Sequence, residues 1–227
     1  MKPEDLKMPF KWDQRCVLIK DRIWYVPDYF ERYEEFIFPG WNSSEIFGND
    51  LPVRVEYCSG NGTWIATKAS TDNASNWVAI EKKFVRVRKI GSKIHNMQLQ
   101  NLMPICGEAY NVTSRYFPSA SIEEVFINFP DPWPKKRHAK HRLIQPRFLD
   151  EVCRILKSEG TITLVTDDVN YSELAIQEFG QHQGFESCHP APFYVTELTN
   201  YGTSYFDELW REKGRIIRYH TFRKKSS

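Results

Sequence analysis

From residue 52 onward the chain alternates short apolar runs with stretches of helix length. The runs are VRVEY (53–57), WVAIE (77–81), MPIC (103–106), EVFINF (124–129) and TITLVT (161–166). Such alternation implies βαβ units and a parallel sheet. Helical spacing of Phe148, Leu149, Val152, Ile155 and Leu156 predicts a helix over Pro146 to Lys157, opened by its proline and ended by Gly160. A second helix is expected from about Asn170 to Gln183, and FESCHPAPFYV (185–195) and RIIRYHTFRK (215–224) read as further strands. The fold class is therefore α/β, with a doubly wound, mostly parallel sheet.

The first fifty residues follow a different rule. Trp12, Trp24, Tyr25, Tyr29, Phe30, Tyr33, Phe36, Phe38 and Trp41 crowd there without a sustained helical or strand period. Residues 1–50 read as an N-terminal extension packed on or beside a core domain of residues 51–227, with the aromatics as its anchors.

A length of 227 residues suits one such domain with an extension. The 31 basic and 29 acidic residues give a net charge of +2, so a polyanion partner must be sought in clustering rather than in the whole-chain balance. No run approaches the length of a membrane span, and the start MKPEDLKMPFKWD lacks the apolar stretch of a secretory signal, which predicts a cytoplasmic protein without a membrane. The five cysteines are scattered singly with no C-x-x-C pair, so neither a metal site nor a disulfide framework is expected.

Open parallel sheets place ligands beyond the carboxyl ends of their strands. The first run ends in Glu56, followed by the turn Ser59-Gly60-Asn61-Gly62, where Gly60 allows close backbone approach by a ligand. The third glycine of a dinucleotide fingerprint is replaced by Ile65, and a carboxylate precedes the loop, which suits a cationic ligand better than a pyrophosphate. Glu81 closes the second run, 25 residues beyond Glu56, near the spacing at which an acid takes ribose hydroxyls; Glu108 follows the third. A ribose, an adenine amine and a positive centre together account for all three acids, and S-adenosylmethionine carries these groups.

The fourth run delivers FPDPWP (129–134), in which prolines hold Asp131 on a stiff loop and bias each preceding residue toward extended geometry. Lys135, Lys136, Arg137, His138, Lys140, His141 and Arg142 follow, with five full positive charges in eight residues, a composition suited to phosphate contact. The fifth run then presents Thr166-Asp167-Asp168.

FPDPWPKKRHAKHRLIQPRFL, with EYCSGNG before it and TDDVNY after it, resembles the bacterial tRNA (guanine-N7)-methyltransferases over residues 47 to 217. The resemblance implies a Rossmann-like methyltransferase sheet, S-adenosylmethionine as cofactor and tRNA as partner. Carried over by position, it implies that Glu56, Glu81, Glu108 and Asp131 line the cofactor site, that Lys135 and Asp167 contact the substrate, and that Asp131 is catalytic. TSYFDELWREKG (203–214) is similar to the family's substrate loop, which begins at Thr203. Cys58 stands where the family has a glycine and predicts a differently shaped turn, because a side chain disfavours positive φ. Glu108 replaces the commoner aspartate. Phe206 occupies a position where the family has an acid, with Asp207 next door, and that acid stays unassigned.

The resemblance thus implies methyl transfer to N7 of a guanine in the tRNA variable loop, by a monomer or homodimer with no obligate partner evident. Two alternatives are an amino-group methyltransferase acting on another RNA or protein, and an RNA-binding module without catalysis. The order FPDPW and its long basic continuation argue against the first.

Overall fold

The structure, a computed structural model, describes residues 1–226, with Lys136 described for its backbone alone. The chain divides into two compact units, Met1–Phe117 and Pro118–Ser227.

In the first unit the apolar runs form β3 (Val53–Tyr57), β4 (Asn76–Glu81) and β5 (Leu102–Cys106), followed in turn by α1 (Thr63–Thr71), α2 (Phe84–Met97) and α3 (Ala109–Tyr116). The three strands run parallel, in register Glu56↔Ala79 and Glu81↔Cys106, so their acidic ends lie on one edge. Val55, Ile80, Leu102 and Ile105 are almost wholly buried within it.

The N-terminal residues add two strands that the sequence pattern did not show, β1 (Leu18–Lys20) and β2 (Ile23–Tyr25). They form a hairpin across Asp21 and Arg22, both at positive φ (52° and 58°), and β2 joins β5 in parallel. Two positive-φ residues match the twist of a two-residue hairpin loop, but the usual Asn-Gly signal is missing. Trp24 is fully buried; it stacks on Phe38 at 5.4 Å and 9° and meets Tyr116 of α3 at 5.3 Å. Tyr25 packs on Phe10 and Phe84. A Cβ on Gly91 of α2 would come within 2.6 Å of the Leu6 side chain, so the N-terminal chain lies against bare helix backbone. Trp12 and Tyr29 depart from the pattern and stay 68% and 83% exposed.

In the second unit β6 (Ile122–Asn128) pairs in parallel with β7 (Leu156–Thr166), and β7 pairs antiparallel with β9 (Arg218–Lys224), which carries β8 (Phe185–Ser187) on its other side. The helices are α4 (Pro146–Ile155), α5 (Val169–Gln181) and α6 (Tyr205–Glu212). Phe148, Leu149, Val152 and Ile155 of α4 are buried, as their spacing requires. The helix stops two residues short of Lys157, because Leu156 turns extended and pairs with Ile122; Gly160 lies inside β7 instead of ending the helix. The strand expected over 185–195 is only three residues long, with an isolated bridge from Val195 to Tyr219, since Pro190 and Pro192 have no N–H to give to a ladder. No helix among the described residues is long and apolar enough to cross a membrane.

Candidate active site

The cofactor residues expected in the first unit meet around one turn. Glu56, 2% exposed, is the penultimate residue of β3, and Cys58, Gly60 and Gly62 all follow in left-handed conformation with φ of 58°, 57° and 72°. A Cβ at Gly62 would lie 2.7 Å from Ile90, so this residue must be glycine both for its φ and for its contact with α2. Cys58 adopts the positive φ that its side chain disfavours. Neighbouring bonds hold it: Ser59 N donates to the Ile80 carbonyl at 3.1 Å, and Gly62 N to the Ser59 carbonyl at 2.8 Å.

Glu81 ties this turn to the end of β4. Its two oxygens accept from Gly60 N at 3.1 Å and Lys83 N at 2.8 Å, and Arg86 lies 3.6 Å away. Glu108 caps α3, accepting from Asn111 N at 2.9 Å. The Cys58 thiol registers the whole cluster: burial, then Glu81, Glu56 and Glu108, push its pKa up to about 12. By surface area the same residue is exposed. Its surface is open to solvent while the three acids lie close enough to act on it. Beside this cluster a cavity of about 330 Å³ is lined by Phe10, Trp12, Tyr25, Asp28, Lys82 and Gly107 among others. Lys82 pairs with Asp28 at 2.9 Å.

In the second unit Asp131 is exposed on the loop after β6, its carboxylate accepting from Trp133 N at 3.2 Å. Phe129 and Trp133 precede prolines yet have φ of 48° and 42°, which overturns the extended geometry expected of them. Tertiary contacts override the local preference. Phe129 N donates to the Val165 carbonyl at 2.9 Å, and the Trp133 ring packs against His138 and His141 at 5.4 and 5.2 Å. Arg142, read from sequence as part of the phosphate-contacting run, braces the loop instead: it donates to the Pro132 and Trp133 carbonyls at 3.0 and 3.2 Å. Lys135, Arg137 and Lys140 are exposed.

The remaining expected residues have partners of their own. Asp167 pairs with Arg215, whose guanidinium lies 4.0 Å from the Trp210 ring centroid. Asp168 caps α5, accepting from Tyr171 N at 2.8 Å. Thr203 donates to Glu208 at 3.0 Å, an exposed acid that sequence reading did not single out. Asp207 is 3% exposed and bound by Arg211 and Tyr219, with its own N–H given to Ser204, so it belongs to the framework of α6. The capping signature Ser204-x-x-Asp207 was the signal for that. Among the described residues no group of three or more His, Cys, Asp or Glu could hold a metal ion.

A mostly parallel α/β sheet in which β3 leads into a glycine turn with acids at the ends of the neighbouring strands defines a Rossmann-like methyltransferase. Solved structures share the fold: an rRNA methylase from Streptococcus thermophilus at 13% identity and a TM-score of 0.53, covering 78% of this chain and 89% of that one, and TrmN from Thermus thermophilus at 18% and 0.55, covering 76% and 44%. The family model described as "Putative methyltransferase" matches residues 50–218. A tRNA (guanine-N(7)-)-methyltransferase of Chlamydia felis is 47% identical over 99% of this chain and 98% of its own, and that of Streptococcus mutans is 30% identical over 76% and 82%. The chain belongs to the tRNA (guanine-N7)-methyltransferase family.

Proposed function

We propose that this protein transfers a methyl group from S-adenosylmethionine to N7 of a guanine in the variable loop of tRNA, forming 7-methylguanosine. The observation that carries the reading is the loop 129–134, which holds two non-glycine residues at positive φ to present an exposed carboxylate next to a basic run.

The residues at the first unit's sheet end fit the cofactor. The three acids that raise the Cys58 thiol make a region of negative potential suited to a sulfonium, and Glu81 is placed for ribose hydroxyls. The aromatic-lined cavity is flanked by Lys82 and Gly107, the sequence neighbours of Glu81 and Glu108, and has room for an adenine ring. Gly60 lets the backbone approach the ligand. When bound, the cofactor supplies an electrophilic methyl group.

Guanine N7 already carries an in-plane lone pair, so the chain needs no strong base. Its task is alignment and charge. Asp131, on the loop that Arg142 braces, opposes the positive charge that develops on the purine. Lys135, with Arg137 and Lys140, contacts RNA phosphates, and Thr203 and Asp167 contact the substrate, Asp167 sharing its carboxylate with Arg215.

The test is incubation of bulk tRNA with the purified chain and methyl-labelled cofactor, then digestion to nucleosides. Label in 7-methylguanosine is expected. Label on an exocyclic amine, or cofactor binding without transfer, would overturn the reading.

A further inference from the structure

In the second unit an aromatic row leads away from the loop that carries Asp131. The Phe129 ring lies 6.1 Å from that of Phe206, and Phe206 lies 6.5 Å from Trp210 with the planes only 17° apart. Tyr205 meets Phe206 edge-on at 5.4 Å. Two cations cover the far end, with Arg215 4.0 Å and Lys213 4.8 Å from the Trp210 centroid. Arg215 continues to Asp167. The row therefore joins two residues proposed to act on the substrate.

Its middle is open. Phe206 keeps 40% and Tyr205 56% of their surface in water, whereas aromatics of the unit's core such as Phe148, Phe179 and Phe222 are at 2–3%. We propose that Phe206, with Tyr205 beside it, is a stacking platform for a nucleobase of the RNA substrate. The proposal rests on the function proposed above. Every base offers a flat face that an exposed ring can cover, and the sugar-phosphate chain attached to it needs cations at the rim; Lys213 and Arg215 supply them. That combination selects a nucleic acid over an apolar protein segment, which would gain nothing from a cationic rim. Because Phe206 touches Phe129, two residues before Asp131, a base seated there is positioned next to the catalytic loop. Phe206 is thus a positioning residue for the substrate.

Three variants separate stacking from packing. Phe206→Leu keeps apolar volume against Phe129 but has no ring, Phe206→Trp keeps the ring, and Phe206→Ala has neither. Binding of tRNA is measured across a salt series alongside cofactor affinity and thermal unfolding. The leucine and alanine variants should bind tRNA about tenfold or more weakly, the range expected for loss of one base stack. The tryptophan variant should match the wild type. The slope of affinity against salt should be unchanged, because no phosphate contact is lost, and cofactor affinity should be that of the wild type. Wild-type tRNA affinity in Phe206→Leu, or a loss that Phe206→Trp fails to restore, would overturn the platform. Failure of the wild-type chain to methylate guanine N7 would instead overturn the proposed function.

Discussion

Arg142 reaches back ten residues to Pro132, donating from Nε to its carbonyl at 3.0 Å while a second nitrogen donates to Trp133 at 3.2 Å. One side chain thus fixes two successive carbonyls just after Asp131. A guanidinium can do this where an ammonium cannot, since its donors form a rigid fork.

Arg142→Lys is therefore expected to loosen the loop without unfolding the chain. The turnover rate should fall by roughly ten- to a hundredfold, the scale of a small misplacement of a catalytic group, with cofactor affinity unchanged. Steady-state kinetics with a parallel cofactor titration checks this. A lysine variant with wild-type turnover would mean that the prolines alone hold the loop.

Cys58 stores backbone strain in the cofactor turn. A non-glycine residue at φ 58° costs about 1–2 kcal/mol, and glycine returns part of the gain through its larger unfolded-state entropy, about 0.5–1 kcal/mol. Cys58→Gly should raise stability by about 0.5–1 kcal/mol, read as a rise in melting temperature of about 1–4 °C. A lower melting temperature would show that the thiol's packing outweighs the strain.

Much of this was legible beforehand, for identifiable reasons. β3 to β7 coincide with the apolar runs, and Glu56, Glu81, Glu108, Asp131 and Asp167 stand at or just beyond their ends. The β1–β2 hairpin was hidden because Asp21-Arg22 is an atypical turn pair, recognisable only by the φ values it adopts. Arg142 looked like one more cation in a basic run; its acceptors are backbone carbonyls, which sequence does not display. Thr203 and Glu208 meet across the first turn of α6, a contact that depends on where that helix begins. Phe129 and Trp133 defied the pre-proline preference because ring packing and ladder hydrogen bonds over-determine them.

His220 gives the fold a pH dependence. It is fully buried, with Nδ1 3.0 Å from the Phe193 carbonyl and Nε2 3.0 Å from the Ser172 hydroxyl. A carbonyl only accepts, so Nδ1 carries the proton and Nε2 accepts from Ser172. Burial lowers the pKa from 6.5 to about 4, with Arg218 and His189 adding to it and the Phe193 bond opposing. The unfolded chain binds more protons between these values. The stabilisation is thus fully present above about pH 6.5 and is lost as pH falls toward 4, a total of about 3 kcal/mol. Denaturant unfolding at pH 7, 5.5 and 4 should show this decline, and His220→Gln should flatten it. Equal pH slopes in the two proteins would exclude His220 as the source.

Asp131, on its strained and braced loop, is proposed to lower the barrier to methyl transfer. Single-turnover transfer to tRNA, with tRNA and cofactor both saturating, isolates that step from binding. Asp131→Asn keeps the shape and loses the charge; Asp131→Ala loses both. Both variants should melt near the wild-type temperature, because the side chain is exposed, and both should form 7-methylguanosine about a hundredfold or more slowly, as for loss of a single electrostatic contact to the transition state. A folded Asp131→Ala protein that binds both ligands and methylates N7 at the wild-type rate would remove Asp131 from catalysis.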